Sequence, residues 1–384
     1  MTAPQVRGRD TFGVAKDFLE TQHGELGCRY CHKGKNVDDE DEAHVGLVKD
    51  PSEEGGGGVC KECHEDITST FKDSMHYTLN GIMDIVLTIS KPNKIEDTLL
   101  PAAWKLDCNE CHTSCGSCHV AWPHVAKGGL IDRHRFLKKP PMEKTCYACH
   151  GSRYAGEYMG LLGETADVHY EKLQMDCVDC HKGEQLHNTQ PKGVKRHYAT
   201  TTPRCEDCHP DAKPGNSRVA MHNAHEENEL ACTVCHSNTY FNCQNCHVSL
   251  DVKEKGEIKV IFPSDPLYTF KIGRNIDIQP GNPYKYNLVR HTPMLKDSLA
   301  SLRYFQFTIT GKPGPEDLIA NWDALPTWNS ANPHNVQKRT PQNRSCNSCH
   351  GVKELFLTKD DIKPEDPKAN YKVAVDKVPP RIEE

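Results

Sequence analysis

Apolar positions along this chain come in short, scattered groups. The longest apolar stretch, residues 82–89, is interrupted by Asp84. That is far from the roughly 20 apolar residues a membrane-spanning helix needs, so no transmembrane segment is expected. Between residues 251 and 345 the pattern changes. Residues 257–262, 268–272 and 304–310 alternate and carry β-branched or aromatic side chains, which predicts strands and a small β-containing segment. PTWNSANPHNV at 326–336 closes that region. Elsewhere 27 glycines and 25 prolines break the pattern, which predicts short helices joined by long irregular connections. Residues 55–58, four glycines, read as a flexible loop without the GK[ST] ending of a phosphate loop. The Pro- and charge-rich tail, 364–384, reads as extended.

Composition first deepens the puzzle. Only 36% of the 384 residues are hydrophobic, too few for the cores of the two or three domains such a length suggests. Taken alone, this points toward disorder. A net charge of −6, without a basic stripe, gives no sign of nucleic-acid binding. The acidic run 38–42 reads as a solvated loop. Residues 1–10 are polar and lack the apolar segment of a secretory signal. The expectation is therefore either a cytosolic protein or a chain whose export signal has been removed.

Twenty cysteines and 22 histidines change the picture. Every cysteine belongs to a C-x-x-C pair, and a histidine follows every pair. The motifs are Cys28/Cys31/His32, Cys60/Cys63/His64, Cys108/Cys111/His112, Cys115/Cys118/His119 and Cys146/Cys149/His150. They continue as Cys177/Cys180/His181, Cys205/Cys208/His209, Cys232/Cys235/His236, Cys243/Cys246/His247 and Cys346/Cys349/His350. C-x-x-C-H is the attachment motif of c-type haem. Two thiols on one helical turn reach the two vinyl groups of a porphyrin, and the next histidine ligates iron from below. Paired C-x-x-C units also build zinc sites, and cysteine-rich chains build disulfide scaffolds. Neither requires a histidine after every second cysteine. Ten covalent haem c groups are therefore expected, and their attachment implies an extracytoplasmic location.

Ten histidines are then proximal ligands, and twelve remain. Those expected as distal ligands are His23, His44, His76, His124, His134, His169, His187, His197, His225, His291 and His334, giving mostly bis-histidine iron. His222 lies three residues before His225 on one helical face. The two could serve two haems, but His222 is set aside as the weaker candidate. His134, His169, His197 and His225 each precede a motif by seven to twelve residues. Each is expected to ligate a neighbouring haem, not the one that follows it. Two low-spin ligands close the iron to substrate, which favours electron transfer. Nine motifs within residues 28–247 describe a nine-haem body, 1–250. A haem-free β-containing insertion, 251–345, follows it, and then the tenth motif with its tail, 346–384.

The connecting residues add a resemblance. CNECHTSCGSCHVAWPHVAKGGLIDRHRF, CYACHGSRYAGEY, DVHYEKLQMDCVDCH and CTVCHSNTYFNCQNCH together resemble multihaem cytochromes c of metal-reducing microbes. They look like the group related to octahaem tetrathionate reductase and hydroxylamine oxidoreductase. The likeness covers residues 100–250, with a looser echo in AHVGLVKDPS and SMHYTLNG. It implies a multihaem cytochrome c fold, short α-helices and coil wrapped around ten stacked haems. It also implies extracellular respiratory electron transfer to partner redox proteins, minerals or electrodes. Some relatives polymerise into cytochrome filaments, and His23 could donate a ligand to a neighbouring protomer. Other relatives are enzymes. A terminal reductase or oxidase of a small nitrogen or sulfur compound is the alternative, with Arg153, Tyr154 and Glu157 near an open haem. Ten motifs instead of eight set this chain apart. If ten porphyrins supply the apolar core, the chain folds only as the holoprotein.

Overall fold

The computed structural model describes residues 14–89, 113–161, 163, 165–189, 197–238, 249–252, 258–261, 270–291 and 320–383. Cys108, Cys111, His112, Cys243, Cys246, His247 and the strand expected at 304–310 lie outside them. The described chain is partly helical in short pieces, with one small antiparallel sheet of three strands and a hairpin. Its longest described helix, Asn80–Ile89, has ten residues, and no described helix is long and apolar enough to cross a membrane.

The chain divides into two compact units that do not follow the boundaries expected from the motif spacing. One is formed by residues 1–79, 110–149 and 181–194, the other by 80–109, 150–180 and 195–384. Two of these boundaries fall inside motifs of the described residues. Cys149 belongs to the first unit and His150 to the second; Cys180 belongs to the second and His181 to the first. The expected single body, 1–250, kept every motif whole. Contacts between segments far apart in sequence decide the division, and they are invisible to spacing along the chain.

In the first unit, short helices at Cys28–His32 and Gly116–His119 and the turn Gly58–Glu62 carry motif residues. Asp50 anchors the helix Gly116–His119. Its Oδ1 accepts from the Ser52 hydroxyl at 2.6 Å, its Oδ2 accepts from the Ser114 hydroxyl at 2.5 Å, and the Ser52 Oγ accepts from Gly116 N at 2.7 Å. The glycines at 56–58 are buried here or pass against buried neighbours, and do not form a flexible loop. Gly58 has φ +47°, and a Cβ there would sit 1.9 Å from the Pro51 carbonyl oxygen. Gly58 passes too close to residues 51–52 for any side chain, and a Cβ at Gly56 or Gly57 would lie 2.8 Å from Lys72 or Thr68.

In the second unit, β1 (Ser249–Val252) and β2 (Ile258–Ile261) form a hairpin. A separate sheet has the order β3 (Lys271–Arg274), β4 (Tyr286–His291), β5 (Trp328–Ser330). All pairs are antiparallel; Ile272 opposes Leu288, and Val289 opposes Ser330. One face of β4 gives Leu288 to a cluster with Val234, Phe270, Ile272, Phe356 and Val375. The other gives Val289 to a cluster with Trp328, Leu357, Ile362 and Val373. The expected insertion is thus a structural core for this unit. Cys235 and Cys349 pack against the first cluster, so it supports two motifs directly.

The tail differs most from expectation. It forms a turn of helix at Asn370–Val373 and buries Asn370, Val373, Ala374 and Val375. Val375 N donates to the Leu357 carbonyl at 2.8 Å. A three-residue apolar group inside a charged segment is enough to dock it, because each buried side chain of valine size contributes about 1.5–3 kcal/mol.

Candidate functional site

Each described motif presents its histidine at or just after the end of a single turn. In Cys232–His236 the buried Val234 points into the core, leaving the cysteines and histidine on the remaining arc of the turn. The ring is then held through Nδ1. His32 Nδ1 donates to the Val48 carbonyl at 2.7 Å, His119 to Leu137 at 2.5 Å, His236 to Gln337 at 3.0 Å and His350 to Pro380 at 3.1 Å. His181 Nδ1 meets Gln185 Oε1 at 2.9 Å. Non-motif histidines follow the same rule: His169 Nδ1 meets Asp167 Oδ1 at 2.8 Å, His222 meets Ser217 Oγ at 3.1 Å, His225 meets Glu229 Oε2 at 3.3 Å and His334 meets the Asn332 carbonyl at 2.8 Å. Anchoring Nδ1 leaves Nε2 as the lone-pair nitrogen, the arrangement found around metal-ligating histidines.

The second cysteines correct one expectation, that both thiols of every motif share one helical turn. Cys63 is exposed and lies beyond the turn Gly58–Glu62, at φ −123° and ψ −18°. The reason is a tightened turn: Cys63 N donates to the Cys60 carbonyl at 3.3 Å, and His64 N donates to that same carbonyl at 2.9 Å. Cys149 is half-buried in the helix Tyr147–His150, whereas Cys146 ends the wider turn Met142–Cys146. Cys146 leads directly into that helix, since Tyr147 is already helical at φ −61° and ψ −31°, and the departure from helical geometry at Glu143 and Lys144 lies before both thiols. Cys177 and the exposed Cys180 share the helix Cys177–Cys180, with His181 just outside it. The start of that helix is capped by Asp179 Oδ2, which accepts from Asp176 N at 2.6 Å. Cys349, like Cys63, follows its turn, Cys346–Ser348, at φ −121°. In Cys28–His32, Cys177–Cys180, Cys205–Cys208 and Cys232–His236 both thiols do share a turn.

Histidines that are far apart in sequence face one another in pairs. Ring centres are 6.2 Å apart for His64 and His23, 6.0 Å for His32 and His134, and 6.1 Å for His119 and His187. In the second unit they are 6.0 Å apart for His209 and His169, 6.0 Å for His236 and His222, and 6.3 Å for His350 and His225. Each pair joins one motif histidine to one non-motif histidine. His76 and His181 adjoin in the same way: burial first, then the neighbouring His181 ring, holds His76 below the usual histidine range. Burial also lowers His23 and His222, helped by the facing motif rings, and lowers His187, beside His119 and His76. These rings are therefore neutral at pH 7, the form that binds a metal.

The spacing tests which group fits. An imidazole nitrogen binds a first-row metal at about 2.0–2.1 Å, and it lies roughly 1.1 Å from its ring centre. Two imidazoles on opposite sides of one iron, as haem requires, therefore have centres about 6.3 Å apart. Two imidazoles on tetrahedral zinc come to about 5 Å. The observed 6.0–6.3 Å fits the trans arrangement. Among the described residues no three or more His, Cys, Asp or Glu converge as a metal cage, and the described cysteines are free thiols. The residues present fit haem c better than zinc or disulfides.

Thiols of different motifs also meet. Cys60 lies beside Cys115, and Cys205 beside Cys232. Cys31 adjoins Cys60, Cys118 adjoins Cys146, and Cys349 adjoins Cys235. Burial pushes the Cys118 and Cys349 thiols each up to about 11. Motif order in space is thus 28–60–115–146 in the first unit and 205–232–346 in the second.

The remaining candidates are placed differently. His44, at the end of the turn Glu40–Ala43, and His124 are both exposed. His197 is half-buried in a left-handed backbone, φ +69°, and its carbonyl accepts from Gly281 N. His291 turns Nε2 toward Thr327 Oγ1 at 3.0 Å and stacks on Trp328, which commits the nitrogen that the paired rings keep open. His23 faces His64 of its own chain. Sequence reasoning sets His222 aside, yet it faces His236. Its three-residue offset from His225, which points the two at different partners, is the signal. His334 packs on Tyr154 at 4.8 Å and lies 3.8 Å from the fully buried Glu157; Tyr154 is 5.8 Å from His150. His134 sits at φ +65°, a sparsely populated conformation that the surrounding contacts hold beside His32.

No family model, curated protein or solved structure matches the chain.

Proposed function

We propose that the chain is a decahaem c-type cytochrome that conducts electrons outside the cytoplasm. The observation that carries this reading is the set of six motif–non-motif histidine pairs at 6.0–6.3 Å. When bound, each haem supplies a one-electron Fe(III)/Fe(II) couple. The cysteines fix each group covalently, the two histidines exclude a substrate from both axial positions, and the Nδ1 hydrogen bonds hold the rings in place. Contacts between motifs, Cys60 with Cys115 and Cys205 with Cys232, bring neighbouring attachment points together, as conduction requires. The partners of such a protein are other redox proteins, minerals or electrodes, or further copies of the chain in a filament.

A second reading, a reductase or oxidase of a small nitrogen or sulfur compound, draws on the buried polar group beside His150. Glu157, His334 and Tyr154 cluster there.

Intact-mass spectrometry with electron-transfer assays separates these readings. The conduit predicts a mass of the polypeptide plus ten haems, full reoxidation by a soluble cytochrome or ferric mineral, and no turnover of nitrite, hydroxylamine or tetrathionate. A mass without haem refutes both readings, and turnover of a small compound selects the second.

A further inference from the structure

Among the anchors of the paired histidines, one differs in charge and burial. His32, His119, His236 and His350 donate to neutral backbone carbonyls, His181 to an amide oxygen, and His222 meets a hydroxyl. His169 donates to a carboxylate, Asp167 Oδ1, at 2.8 Å. That carboxylate is 3% exposed and held from several sides. Its Oδ1 also accepts from His169 N at 2.8 Å, its Oδ2 accepts from Val336 N at 2.7 Å, and the Asp167 N–H donates to the Tyr158 carbonyl. Glu229 makes the one comparable contact among the described pairs, to His225. It is longer, 3.3 Å, and Glu229 is 32% exposed, so solvent weakens it.

A negative charge on the outer nitrogen of an axial imidazole makes that imidazole a stronger donor and stabilises ferric over ferrous iron. The effect grows as the local dielectric falls. We propose that Asp167 is a positioning residue that makes the haem ligated by His209 and His169 the most reducing of those with described ligand pairs. It is the last of them to accept an electron and the first to release one. This rests on the haem reading above. It assigns direction within the second unit, where Cys205 adjoins Cys232 and Cys235 adjoins Cys349: an electron on the His209/His169 haem runs downhill toward the motifs at 232 and 346.

The test is spectroelectrochemical reduction of the full-length holoprotein, with haem content checked by the pyridine haemochrome assay. In Asp167→Asn, which keeps the shape but loses the charge, one haem's share of the absorbance change should leave the negative end of the curve. At a fixed potential its oxidised-to-reduced ratio should fall about tenfold, equivalent to about 59 mV for a one-electron couple. Glu229→Gln should shift its own haem less. His169→Ala is the second variant, needed if Asp167→Asn loses ligation: it too should remove that most negative component. An unshifted curve in low-spin Asp167→Asn, or persistence of the component in His169→Ala, overturns the proposal. Absence of haem from the wild-type protein is the separate failure of the haem reading.

Discussion

A single imidazole makes or loses a ligand through the nitrogen it leaves free. His222 spends Nδ1 on Ser217 and faces His236, whereas His291 spends Nε2 on Thr327 and stacks on Trp328. Alanine at these two positions is therefore expected to differ. His222→Ala should convert one low-spin iron to high spin in the electronic spectrum, and His291→Ala should leave every iron low spin. A high-spin signal in His291→Ala with none in His222→Ala would reverse the assignment. The proximal residues are legible directly, because C-x-x-C-H states its chemistry in five consecutive positions. The distal ones are legible as a surplus but not as partners. His23 and His64 are 41 residues apart, and His225 and His350 are 125 apart; nothing in local sequence encodes such a pairing.

Elements follow the same division. Single-turn helices at the motifs are expected, and Cys28–His32, Cys205–Cys208 and Cys232–His236 are such turns. Where the second cysteine falls just beyond its turn, as at Cys63 and Cys349, the backbone has tightened to bonds three residues apart, Cys63 N to the Cys60 carbonyl and Cys349 N to the Cys346 carbonyl, which the motif itself does not encode. Strand β2 falls within the alternating segment at 257–262 and β3 at the end of that at 268–272. Strand β4 is not legible, because its four central residues are all buried and a strand covered on both faces loses its period-two pattern. The docked tail escapes a sequence reading for a related reason: it depends on a few residues, Asn370 above all. The Asn370 side chain accepts from Thr327 N at 2.8 Å and Trp328 N at 3.0 Å and donates to Thr327 Oγ1 at 2.8 Å. Asn370→Ala leaves two buried backbone N–H groups without this acceptor, at about 1–3 kcal/mol each. The holoprotein should lose several degrees of thermal stability, and the chain after residue 363 should become sensitive to protease. An unchanged melting temperature would show that the tail is dispensable to the core.

At the scale of the whole molecule, low hydrophobic content and an ordered structure are reconciled by what the chain is arranged to hold. Its described apolar clusters are few and lie around the three-stranded sheet. The rest is organised by paired histidines, motif turns and polar anchors such as Asp50. This is the distribution expected when covalently attached porphyrins supply the missing core. On the proposed reading, bis-histidine ligation throughout would leave no coordination position for a substrate and make every haem an electron carrier. Electron paramagnetic resonance of the fully oxidised protein, integrated against its iron content, tests this most directly. The account predicts ten low-spin ferric irons per chain and no high-spin signal. High-spin iron in the wild-type protein, or iron well short of ten per chain, would contradict it.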